Sequence, residues 1–244
     1  MKKGLFLIIA IFVTEGISRT SSYITDQLSS ILPYQSIDPY GLYLYISVHH
    51  LFQLFFAALA ILFVFRLVCK NHASFMLQFG LKWPDQPSKA FRFVALFTVV
   101  WAVVQFGVGY YMVTHQMVDA SIAYPLRGET LIGQYLFQLL LSGTSEELLY
   151  RSLLIGLSLV IFEKPKVIWI YAFTLVPFLV GHIPYQLYPF QIYQPNILQL
   201  VTVFTFGSFY TYLYLNFKSV IPPMIAHGVL NAVIITSGFL LSYL

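Results

Sequence analysis

Apolar residues in this chain come in long unbroken runs and do not alternate with polar ones. Runs near 4–18, 40–65, 93–117, 130–162, 167–183, 197–217 and 220–243 are dominated by Leu, Ile, Val, Phe and Tyr. A helix of about 20 such residues crosses the ~30 Å hydrocarbon layer of a bilayer. The pattern predicts an all-α, polytopic transmembrane helical bundle of about seven spans. The loops between runs are short, and no internal repeat or low-complexity segment interrupts them. Residues 1–244 are therefore expected to form a single integral membrane domain.

Composition changes the picture only by removing alternatives. The chain is 59% hydrophobic and 9% charged, whereas soluble domains average about a quarter charged residues. Its net charge of +4 then bears on membrane orientation, and nucleic acid is an unsuitable partner. Lys2, Lys3, Arg66, Lys70, Lys82, Lys89, Arg92, Lys164, Lys166 and Lys218 fall on one side of the expected topology, against Arg19 and Arg127 on the other. That asymmetry predicts a cytoplasmic N-terminus, a C-terminus outside and a multi-pass protein of the plasma membrane. Cys69 is the single cysteine, which excludes an internal disulfide, a CxxC redox pair and a cysteine-based zinc site.

Two segments are less regular. The first run follows Met1-Lys2-Lys3 and imitates a secretory signal, but "TEGISRTSS" follows it without a small-residue cleavage pattern. A retained first helix is expected, a cleaved signal being the alternative. Residues 184–196, "PYQLYPFQIYQPN", carry three prolines and no charge, which reads as a re-entrant or interfacial stretch.

Chemistry enters at "LSGTSEELLYRSLLIG", residues 141–156, where Glu146, Glu147 and Arg151 interrupt an apolar span. A charge at mid-membrane costs ~2.5–3.5 kcal/mol on insertion scales, so such residues are functional candidates by default. Glu147 and Arg151 are four apart and share a helix face, so they are expected to pair and neutralise each other. Glu146 points about 100° away and is the carboxylate left over, suited to act as a general base. His182 lies in "FTLVPFLVGHIPY", while His227 and Asn231 lie in "IAHGVLNAV" on one face. One carboxylate, two imidazoles and an amide can converge on a water-filled cavity. There Glu146 would deprotonate water, and Asn231 with a histidine would stabilise an oxyanion. The histidines could also bind a metal. His182 and His227 must then lie within ~12 Å of each other to share one water.

These segments also resemble a known family. "EELLYR" (Glu146, Glu147, Arg151) is similar to the EExxxR motif of the CAAX-protease and bacteriocin-processing family, also called Abi or CPBP intramembrane endopeptidases. "FLVGH" (Phe178 to His182) resembles its FxxxH motif, and "HGVLN" (His227 to Asn231) its HxxxN motif. The resemblance covers roughly 130–240. It implies a membrane endopeptidase with Glu146 as activating base, His182, His227 and Asn231 completing the site, and Glu147 and Arg151 in support. Implied substrates are CAAX-type tails, leader peptides, pheromone precursors or other membrane-associated peptides or proteins. Glu146, His182 and His227 suit a zinc ion if the reaction is metal-dependent, or a metal-free glutamate mechanism with no cofactor; both stay open.

Plainer readings stand beside these. A scaffold or bacteriocin self-immunity protein is the rival function, and a proton-coupled transporter is a third, disfavoured by the lack of repeats. His49 and His50 read as interhelical hydrogen-bond partners, and His72 and His115 as loop-proximal residues. Ser142 and Ser145 have no histidine or lysine at helical spacing and lack a G-x-S-x-G elbow, so a serine nucleophile is discounted. No H-E-x-x-H zinc motif is present.

Overall fold

The computed structural model describes residues 2–68, 72–117, 128–162, 164–186 and 189–244, apart from the side chains of residue 68 and of 72–74. Cys69, Lys70 and Arg127, and the side chain of His72, lie outside the described residues. Its long helices are α1 (Lys3–Ser29), α3 (Leu44–Val68), α5 (Pro87–Thr114), α9 (Val167–Gly181), α10 (Ile197–Phe217) and α11 (Ile221–Leu241). Between α5 and α9 runs a segmented helix over 129–162. It consists of α6 (Glu129–Leu136), a π-helical stretch Phe137–Ser142, α7 (Gly143–Glu147), a second π-helical stretch Leu148–Leu153, and α8 (Leu154–Phe162). Short helices α2 (Tyr34–Ile37) and α4 (His72–Gln78) sit in connections. The chain is thus an all-α polytopic helical bundle. Helices α1, α3, α5, α10 and α11 are long and apolar enough to cross a membrane, and α9 is a shorter apolar helix.

The first helix is longer than hydropathy implies. It continues through "TEGISRTSS" to Ser29, because the hydroxyls of Thr14, Ser21 and Thr25 bond the carbonyls of Ala10, Ile17 and Ser21 at 3.0, 2.8 and 2.8 Å. A hydroxyl satisfied by its own preceding turn can be buried without breaking the helix. Phe6 seats α1 in the core, 4.5 Å from the Phe173 ring and 5.3 Å from that of Phe162.

Helix ends follow local chemistry. Asp38, 2% exposed, accepts from the backbone N–H groups of Leu42, Tyr43 and Leu44 ahead of α3. Asn196 caps α10 by accepting from Gln199 N at 3.1 Å. Pro222 and Pro223 sit in the first turn of α11, where no intrahelical donor is lost.

The 184–196 stretch contains a two-stranded antiparallel ribbon, β1 (Tyr185–Gln186) with β2 (Gln191–Ile192), Tyr185 facing Ile192. The ribbon is tied to α1. Tyr185 donates to Glu15, and Arg19 lies 4.2 Å over the Tyr185 ring. Helix α9 has only 15 residues, about 22 Å of helix against a ~30 Å hydrocarbon layer. His182, the C-cap that follows its last residue Gly181, therefore stops short of a full crossing.

Candidate active site

Two π-helical stretches bracket α7, the turn that carries both glutamates. A π turn adds a residue per turn and re-aims side chains, and such turns recur at functional sites. Crossing this segment is α11, held close by small residues. A Cβ on Gly143 would come within 2.6 Å of Met224 O, and one on Gly228 within 3.0 Å of Gln138 O and Leu139 O. That close approach brings His227 and Asn231 onto α7 and the first π stretch.

The expected pair forms. Arg151 Nη1 donates to Glu147 Oε1 at 3.0 Å, with both side chains fully buried. Nη2 donates to Gly207 O at 3.1 Å, where a side chain on residue 207 would crowd the guanidinium. The guanidinium also lies 4.3 Å from the Phe178 ring centre and 5.3 Å from that of Tyr210, so its charge is shared between a carboxylate, a carbonyl and two ring faces.

Glu147 does more than neutralise Arg151. His227 Nδ1 lies 2.8 Å from Glu147 Oε1, and the imidazole stacks on Tyr210 at 4.8 Å and 15°. An ionised carboxylate only accepts, so His227 Nδ1 carries a proton there. In neutral His227 the Nε2 lone pair is then the free end, and it lies 3.8 Å from Glu146 Oε2. A carboxylate that sets the tautomer of an imidazole in this way fixes what the other nitrogen can do.

Glu146 is placed differently. It keeps 15% side-chain exposure, and its Oε2 is sealed from solvent without a hydrogen-bond partner among the described residues. Two imidazole nitrogens face it, His227 Nε2 at 3.8 Å from Oε2 and His50 Nε2 at 4.0 Å from Oε1.

His182 caps α9, with Nδ1 2.7 Å from Phe178 O. The Phe178 ring lies 4.7 Å from His182 and 6.2 Å from His227. Those two legs bound the separation of the imidazoles within the ~12 Å that one shared water site tolerates. Asn231 gives its amide hydrogens to Gln138 Oε1 at 2.7 Å and Ser142 Oγ at 3.2 Å.

Sequence reasoning missed three contributors. Gln138 is the partner of Asn231, and nothing in its apolar neighbourhood signals that. Tyr210 stacks on His227. His50, read as an interhelical hydrogen-bond partner, does bond across helices, its Nδ1 lying 2.6 Å from Ser145 Oγ. Yet it also turns Nε2 toward Glu146 Oε1 at 4.0 Å. The available signal was the group His49, His50 and Gln53, polar residues in the middle of an apolar helix. That contact also revises the treatment of Ser145, for which spacing within its own helix offered no histidine; α3 supplies one. Ser145 is nonetheless fully buried, out of reach of a substrate bond.

A zinc ion does not fit these donors as they stand. Among the described residues no three His, Cys, Asp or Glu side chains gather at metal-holding distances.

A nearly all-helical apolar chain with a carboxylate–imidazole cluster in its interior is a polytopic membrane protein with a polar centre of the kind hydrolases use. Residues 128–233 match the family model described as type II CAAX prenyl endopeptidase Rce1-like, which supports the resemblance to the CAAX-protease family over that segment. Comparison with curated proteins and with solved structures finds no match. The matched segment holds Glu146, Glu147, Arg151, His182, His227 and Asn231, and leaves α1 to α5 outside it.

Proposed function

We propose that this chain is an intramembrane endopeptidase that hydrolyses peptide bonds of membrane-associated peptides or proteins, CAAX-type tails or leader and pheromone precursors. In this reading it sits in the plasma membrane as one domain with its N-terminus in the cytoplasm. Glu146 is the general base. It takes a proton from water, the water oxygen bonds the scissile carbonyl carbon, and the carbonyl electron pair moves to oxygen. As the tetrahedral intermediate collapses, the C–N bond breaks and the proton held by Glu146 passes to the leaving nitrogen. His227 donates from Nε2 to the oxyanion when protonated, its Nδ1 remaining on Glu147. Asn231 joins by exchanging its longer bond, to Ser142, for the substrate oxygen. His182, anchored through Nδ1 on Phe178 O, offers Nε2 to the water or the leaving group. No step passes through a metal.

The observation that carries this reading is the partnerless, sealed Oε2 of Glu146 facing His227 Nε2 at 3.8 Å, inside a segment that matches a protease family. A buried carboxylate oxygen without a bond is costly, and Glu147 Oε2 and Glu15 Oε1 share that state; Glu146 differs from them in facing two imidazole nitrogens, His227 Nε2 at 3.8 Å and His50 Nε2 at 4.0 Å. The test compares cells expressing the wild type and Glu146→Gln at matched membrane levels, with mass spectrometry of peptide termini in membrane and secreted fractions. A defined set of termini should vanish in the variant, reflecting a loss of about 100-fold or more in rate. Identical terminal profiles with an intact cellular phenotype would instead assign a scaffold or self-immunity role.

A further inference from the structure

Helix α3 lies outside the family-matched segment, yet it supplies one of the two imidazoles nearest Glu146. His50 is 6% exposed. Its ring is fixed from three sides: Ser145 Oγ at 2.6 Å on Nδ1, the Phe137 ring at 5.0 Å and the His49 ring at 5.1 Å. His50 Nε2 makes no hydrogen bond among the described residues, and the side chain keeps 8% exposure. It faces Glu146 Oε1 at 4.0 Å. No nitrogen of His182 comes that close to either Glu146 oxygen. A gap of 4.0 Å is too long for a direct hydrogen bond, but one water can touch both atoms at about 2.8 Å each.

The proton on Ser145 sets what His50 can donate. Its hydroxyl has one hydrogen and two acceptors in reach, His50 Nδ1 at 2.6 Å and Ser142 O at 3.2 Å. Given to the nearer acceptor, it leaves the imidazole proton on Nε2, aimed at the gap in front of Glu146.

Resting on the peptidase reading above, we propose that His50 is a further catalytic residue, holding the attacking water against Glu146 from a helix outside the family-matched segment. The water oxygen accepts from His50 Nε2–H and the water donates to Glu146 Oε1. In the first step that O–H bond breaks, its proton goes to Glu146 and the oxygen bonds the carbonyl carbon. His50 keeps its own proton throughout, and Ser145 is a positioning residue.

The test uses the full chain in phospholipid nanodiscs and an internally quenched peptide with a farnesylated cysteine three residues before its C-terminal residue. For wild type, Glu146→Gln, His50→Gln and Ser145→Ala, kcat and KM are measured between pH 5.5 and 9. His50→Gln should lower kcat about 10- to 100-fold with KM within about twofold, and change the pH profile of kcat. A wild-type kcat and profile in His50→Gln, beside an inactive Glu146→Gln, overturns the role of His50 and leaves the peptidase reading standing. An uncut probe with the wild type counts against the peptidase reading instead. Hydrogen–deuterium exchange at the histidine C2 positions then still judges the coupling, in wild type against the isosteric Glu146→Gln. A move of the His50 midpoint by about half a pH unit or more upholds it, and an unchanged midpoint overturns it.

Discussion

Helix α5 and the segmented helix over 129–162 look alike in hydropathy and are opposites in the fold. Along α5 the buried residues are Ala90 and Val94, while Leu96, Val99, Val100, Val103 and Val108 are at least half exposed. The segmented helix hides its polar groups: Ser142, Ser145, Glu147, Arg151 and Ser152 are all buried. Ser152 Oγ reaches Phe79 O at 2.6 Å, and Arg151 reaches Gly207 O on α10. In a bilayer an apolar side chain gains nothing by turning inward, so it can face lipid, whereas each polar group must find a partner inside. The polar positions therefore decide which helices meet, and apolar runs only decide that there are helices.

The largest expected break in this contrast is Arg151→Leu. It leaves Glu147 buried with His227 as its remaining partner, and should cost about 3–5 kcal/mol. Thermal unfolding in detergent would read this as a large drop in midpoint and a loss of folded protein from membranes. Glu147→Gln added to Arg151→Leu should recover part of the loss, because no unpaired carboxylate then remains inside. If Arg151→Leu is as stable as wild type, the segmented helix is no more specified by its charges than α5 is.

That contrast also explains how far the chain could be read without coordinates. The apolar runs and the four-residue spacing of Glu147 and Arg151 are local, so the bundle and the ion pair were legible. The end of α1 was not, because polar "TEGISRTSS" looks like a loop until its hydroxyls are seen bonding the preceding turn. The π stretches have no glycine or proline signature; they depend on what packs against the helix. Contacts across helices were the least legible. Glu147 with His227, Asn231 with Gln138, and His50 with Ser145 are separated by 80, 93 and 95 positions. Motif resemblance grouped His227 and Asn231 with Glu146, but it gave no means of finding His50 on α3.

A smaller effect separates two glycines in the same two helices. At Gly143 on α7, a Cβ would lie 2.6 Å from Met224 O and 3.0 Å from Gly228 N, both backbone atoms of α11. Backbone cannot rotate aside, so Gly143→Ala must push α11 away and should cost about 1–3 kcal/mol. At Gly107 on α5 nothing lies within 4 Å of the new Cβ, and Gly107→Ala should be neutral or stabilise by up to ~1 kcal/mol through helix propensity. Unfolding midpoints of the two variants should therefore move in opposite directions, or only that of Gly143→Ala should fall. Equal losses would mean that α5 is as closely packed as α7.

The smallest effect is expected at Val103, 69% exposed on α5. Val103→Leu adds one methylene toward the surroundings and should leave stability within about 0.5 kcal/mol of wild type. Because so little is expected, this variant is the sharpest probe of what the open face of α5 meets. A residue facing lipid tolerates the larger side chain without adjustment, since no close-packed neighbour has to move. A loss above about 1 kcal/mol is the size that overpacking a filled interior produces. It would show that the face of α5 is covered by protein in the membrane, and that its contrast with the segmented helix holds only for the isolated chain.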